Sequence, residues 1–206
     1  MIHDKGRGVT FLSTLYINAG LTNGVVRIFV FRNINTLSAN RSYTIDPAGT
    51  ANNILPDYPH LGISNNHLYL TLNDVGAGVG AGANAQVWRL NIDNMVDCVT
   101  ATANIATLPS SVGQRIVTAA SGAKEVQYFT WAENSTTIRI WSWPQGSTTL
   151  TSVTRTLSAS NFTNPDCRGG TLNNDFTDSL WASIHGFNRR GGGEQRPPLC
   201  LLERRA

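Results

Sequence analysis

Lysine is nearly missing from this chain: among 206 residues it occurs only as Lys5 and Lys124, a shortage that carries no functional conclusion. Charge of either sign is also sparse, 14% of residues against about 25% in an average soluble domain. Asn, Thr, Ser and Gly stand in its place, so turn and strand formers dominate. The net charge of +3 comes from the end of the chain. Residues 1–188 hold 11 basic and 11 acidic side chains, whereas residues 189–206 hold five Arg and two Glu. A nucleic-acid binder needs a basic stripe to displace counterions from phosphates, and the neutral body offers none.

Cysteine is scarce too. Cys98, Cys167 and Cys200 form no CxxC, which excludes a disulfide-dense scaffold and a zinc site. One disulfide, Cys98 with Cys167, suits an exported protein and leaves Cys200 over; three buried thiols suit a cytosolic one. Long apolar runs are lacking, so nothing approaches the roughly 18 residues of a membrane span. The start, Met1 to Arg7, has no signal-peptide core. A helical period is lacking as well, since apolar residues recur at every second position and Thr, Asn and Gly interrupt any period of 3.6.

What is present is a strand written three times: Arg27-Ile28-Phe29-Val30-Phe31, Arg89-Leu90-Asn91-Ile92 and Arg139-Ile140-Trp141-Ser142-Trp143. The spacings are 62 and 50 residues, and the Gly/Ala insertion Gly76 to Ala85 accounts for most of the difference. A period near 50 fits one four-stranded propeller blade. Each Arg-led strand follows another strand-like run: Thr10 to Ile17, His67 to Leu72 and Val126 to Trp131. Such pairs read as antiparallel hairpins. Ser42 to Ile45 with Leu61 to Ser64, Thr100 to Leu108 with Arg115 to Ala120, and Thr149 to Leu157 supply further strands.

The expected fold is therefore all-β, a propeller-like repeat of four-stranded antiparallel blades over residues 1–188, with about three to four blades. Asp178 to Phe187 begins a fourth unit whose partner is missing; the Gly/Arg/Pro stretch that follows shows no strand pattern. Residues 189–206 are expected to form a disordered basic tail. An incomplete ring leaves apolar faces wet, so the sequence predicts a fragment of a longer protein or self-association through unpaired blades.

The segment Pro56-Asp57-Tyr58-Pro59-His60-Leu61-Gly62-Ile63-Ser64-Asn65-Asn66-His67-Leu68-Tyr69-Leu70-Thr71 resembles a stretch of secreted bacterial propeller proteins of sialidase-like type. The resemblance implies a propeller that is secreted or periplasmic in its parent form. Pro59 should hold Tyr58 extended, Gly62 allows close approach, and Asn65-Asn66 turns between two strands. The sialidase Asp-box, Ser-x-Asp-x-Gly-x-Thr-Trp, is not found, so sialidase activity is not implied.

Candidate chemistry gathers where propeller loops meet. Asp57, Tyr58 and His60 cluster before a strand, offering a carboxylate and an imidazole. Asp74 and Glu133 end corresponding strands of adjacent units, which in repeat register puts two carboxylates on one rim, as in glycosidases. Trp141, Trp143 and Arg139 share one face, read as core more readily than as a ligand platform. Gly78 to Ala83 matches GxGxxA but runs into a strand instead of opening a helix, so no cofactor is expected. Asp166 to Asp175 matches no calcium loop, and His3, His60, His67 and His185 lack metal spacing. The reading is a non-enzymatic extracellular binding or scaffold module for a carbohydrate or protein ligand. A glycoside hydrolase-like propeller and a truncated non-functional fragment are the alternatives.

Overall fold

The structure is a computed structural model, and it describes residues 1–20, 22–36, 39, 41–47, 54–76, 84–108, 117–134, 136–156, 199–200 and 202–205. These residues form an all-β protein with one short α-helix and a single 3-10 turn, Ile34–Thr36. The first sheet holds β1 (Ile2–Asp4), β2 (Val9–Ile17), β3 (Gly24–Phe31) and β4 (Arg41–Ile45) in sequential order. The second holds β5 (Ile54–Ile63), β6 (His67–Gly76), β7 (Asn84–Asn91) and β8 (Ala101–Leu108). The third holds β9 (Thr118–Ala119), β10 (Val126–Asn134), β11 (Thr137–Pro144) and β12 (Thr151–Thr156). Each is a four-stranded antiparallel meander, and the three Arg-led runs occupy its third strand every time.

Burial explains why the second sheet reads as nearly continuous apolar sequence. Leu68, Leu70, Leu72, Trp88 and Leu90 pack with Phe11, Ile28, Tyr43 and Ile45 of the first sheet. The alternating residues Tyr69 and Val87 pack instead with Phe129, Trp131, Trp141 and Trp143 of the third. A strand covered on both faces has no polar side to alternate with. Trp141 and Trp143 are thus core residues, as the sequence suggested.

Two glycines set how closely the sheets approach. A Cβ on Gly62 in β5 would lie 2.6 Å from the Cβ of Ala119 in β9, and one on Gly24 would lie 2.8 Å from Cδ of Pro56. Both contacts join strands of different sheets, so the absence of a side chain is what permits the packing.

Two of the elements depart from the sequence reading. A helix, α1 (Ile92–Asp97), follows β7 directly. Its six residues are too few to show a helical period, yet Ile92, Met95 and Val96 are buried on one side. The Asn91 side chain caps its start by accepting from the Asn94 N–H at 3.0 Å, and Cys98 ends it with φ 56. The second departure concerns the expected disordered tail. β13 (Leu199–Cys200) adds parallel to β4, and β14 (Leu202–Arg205) adds parallel to β8. Strand addition to an open edge rests on main-chain hydrogen bonds, so it needs no apolar alternation that a sequence pattern would reveal. The expected strand Asp178 to Phe187, the Gly78 to Ala83 loop, the Asp166 to Asp175 loop and residues 189–198 lie outside the described residues.

Candidate functional site

One end of the three sheets is tied together by polar contacts. At the β5–β6 turn, the Asn65 N–H donates to the Lys124 carbonyl at 3.1 Å, and the Asn66 N–H donates to Oε1 of Gln145 at 3.1 Å. From the first sheet Arg7 reaches the same turn, donating to the Asn65 carbonyl at 2.8 Å. Arg7 also pairs with Asp4 at 2.9 Å and with Asp93 at 2.6 Å. Its guanidinium holds the Asp93 carboxyl below the usual range.

The opposite end of β5 carries the expected cluster, but not in a loop. Asp57, Tyr58 and His60 lie inside the strand, where sequence reasoning placed them before it. The register explains the difference. Asp57 pairs with Asn73 and His60 with Thr71, so Tyr58 and Pro59 together face the single residue Leu72. This is a two-against-one β-bulge. It also corrects the expectation that Pro59 would hold Tyr58 extended, because Tyr58 has φ 47. A bulky residue in this left-handed region is strained by about 1–3 kcal/mol.

The bulge presents Tyr58 to solvent, 43% exposed. Beside it, Oδ1 of Asp57 accepts a hydrogen bond from the Tyr58 N–H at 3.0 Å. Loss of solvent raises the Asp57 carboxyl above its ordinary value, with that hydrogen bond opposing the rise. His60 is shifted down, first by burial and then by the ammonium at Met1. The group therefore combines a carboxyl that resists ionisation with an imidazole that resists protonation.

The first sheet contributes a second tyrosine that sequence reasoning did not single out. The close approach of Gly24 to Pro56 brings the Tyr16–Ile17 end of β2 to this end of β5. Tyr16 is 38% exposed and Ile17 44%. The Arg27 guanidinium carbon lies 5.1 Å from the Tyr16 ring centroid. In the hairpin register Tyr16 stands two residues after Thr14, the partner of Arg27, as Glu133 stands two after Trp131, the partner of Arg139; the signal was an aromatic beside a hairpin turn at that position.

The backbone places Asp74 and Glu133 near the ends of β6 and β10, but not in the same register: Asp74 comes five residues after Tyr69, the partner of Arg89, and Glu133 two after Trp131, the partner of Arg139. The side chains of Asp74 and Glu133 lie outside the described residues. Asp74 stands opposite Pro56, one position out of step with Asp57, and Glu133 falls at the irregularity of β10 between Ala132 and Asn134. The register thus sets Asp57 near Asp74 along neighbouring strands and leaves Glu133 in a different sheet. Among the described residues no group of three or more His, Cys, Asp and Glu could hold a metal ion. No described helix is long and apolar enough to cross a membrane. Cys98 is disulfide-bonded, and its expected partner Cys167 lies outside the described residues.

No family model, curated protein or solved structure matches the chain.

Proposed function

We propose that this chain is a propeller-type, non-enzymatic binding module whose three meanders are blades, and that it takes a neutral carbohydrate at the rim shared by the first two sheets. Support for blades comes from three consecutive four-stranded meanders and from the middle one, buried on both faces. The observation that carries the ligand site is Tyr58, held in a strained left-handed backbone and exposed beside Asp57. Strain of this kind persists where surrounding structure fixes a side chain for a task. Exposed tyrosine rings at Tyr58 and Tyr16 suit the apolar faces of sugar rings, and a carboxyl such as Asp57 suits their hydroxyls. The disulfide at Cys98 fits an exported protein.

The hydrolase reading has one observation in its favour, the raised Asp57 carboxyl, since a general acid needs such a shift. It also needs a second carboxylate on the same bond, and Asp74 stands one position out of step with Asp57, where successive residues of a strand face opposite sides of the sheet. A panel of neutral oligosaccharides tested by glycan array and calorimetry separates the two. A binding module retains its ligand uncleaved and loses affinity at least tenfold on Tyr58→Ala. Release of shortened products, abolished by Asp57→Asn, would establish the hydrolase, and an intact fold with no glycan affinity would overturn the carbohydrate proposal.

A further inference from the structure

The strand register carries an inference independent of the rim. Cys98 is disulfide-bonded, and the chain offers two partners, Cys167 and Cys200. The backbone of Cys200 is placed by its own pairing and by that of the strand that follows it. Cys200 stands opposite Tyr43 in the parallel pair of β13 with β4, and two residues later Leu202 stands opposite Ala101 in the parallel pair of β14 with β8. Counting back from Ala101, Cys98 is three residues away on its own strand's approach. The β14–β8 register thus brings Cys200 to the end of β8 that follows Cys98, and a disulfide asks for α-carbons roughly 4.4–6.8 Å apart. The Tyr43 hydroxyl makes the same connection from the other side, donating to the carbonyls of Asn94 at 3.1 Å and Met95 at 3.0 Å in the helix that Cys98 terminates.

We propose that Cys98 is bonded to Cys200 and that this bond locks a clasp: β13 binds the outer strand of the first sheet and β14 that of the second. Cys167 is left as the thiol. Formation of the bond removes two protons and two electrons from the two thiols, and these pass to an external disulfide, of low molecular weight or on an oxidoreductase, which is reduced to two thiols. The clasp is thus redox-dependent, complete in an oxidising compartment and weakened in a reducing one.

Trypsin without reductant distinguishes the partners, because Cys98, Cys167 and Cys200 fall on the separate peptides 90–115, 156–168 and 191–204. Mass spectrometry of the full chain is expected to recover the first joined to the third, with Cys167 open to alkylation. Cys200→Ser and reductant should each lower Tm by the same amount, roughly 5–15 °C for a loop this long, and should not add. Cys167→Ser should leave Tm unchanged. A Cys98–Cys167 peptide, or a Tm that responds to Cys167→Ser and not to Cys200→Ser, would overturn the proposal.

Discussion

Arg89 lies with its guanidinium carbon 4.5 Å from the ring centroid of Trp143, across the boundary between the second and third sheets. The same guanidinium donates to the carbonyls of Ser147 at 2.7 Å and Pro144 at 3.3 Å. The equivalent arginines have rings of their own sheets beside them, Arg27 over Tyr16 and Arg139 over Trp141. Arg89 makes its ring contact across a sheet boundary. It is 4% exposed and forms no carboxylate ion pair among the described residues, so its charge is met by carbonyl dipoles and a π face. Truncation to alanine should destabilise by about 3 kcal/mol, while Arg89→Met, which keeps an apolar stem, should lose less. Urea unfolding midpoints measure both.

Gly62 tests the spacing of the same two sheets. Gly62→Ala should destabilise by about 1–3 kcal/mol through overpacking on Ala119. Adding Ala119→Gly should restore most of that loss. A double-mutant cycle that shows simple additivity would mean the two positions do not touch.

Acid should weaken the fold through two histidines. Burial, then the positive charge of Arg89, lowers the pKa of His67, with a hydrogen bond to Gln145 opposing, and burial also lowers that of His60. Both are depressed below the unfolded value of about 6.5. The unfolded chain therefore binds more protons, and stability present above pH 6.5 is lost as pH falls from there through the folded pKa values. Chemical denaturation at pH 7.5, 6 and 5 should show this decline. His67→Gln, which cannot titrate, should flatten it.

Tyr58 offers a trade between stability and binding. Tyr58→Gly relieves the positive φ and should raise stability by about 1 kcal/mol, read as a Tm increase of roughly 2–4 °C. The same change should abolish glycan binding. A variant more stable and still fully binding would remove the tyrosine ring from the site.

Period-2 runs such as Arg27 to Phe31 were legible because their alternation is imposed by burial, and the hairpin pairing with the strand before it followed from a short polar turn. The core role of Trp141 and Trp143 was legible for the same reason. Less legible was whatever rests on main-chain geometry. The Asp57–His60 bulge depends on a register slip against Leu72, α1 on a capping bond from Asn91, and β13 and β14 on edges made by distant strands. Side-chain type records none of these directly. The approach of the Tyr16 end of β2 to β5 was not legible either, because it arises between sheets, through Gly24 and Pro56.

The terminal strands also order events during synthesis. β4 is made more than 150 residues before β13, which closes its edge. The first two sheets therefore stand with their outer edges open to other strands while the intervening chain is made. That interval makes these edges the points where a chaperone, or a second nascent copy, has time to engage.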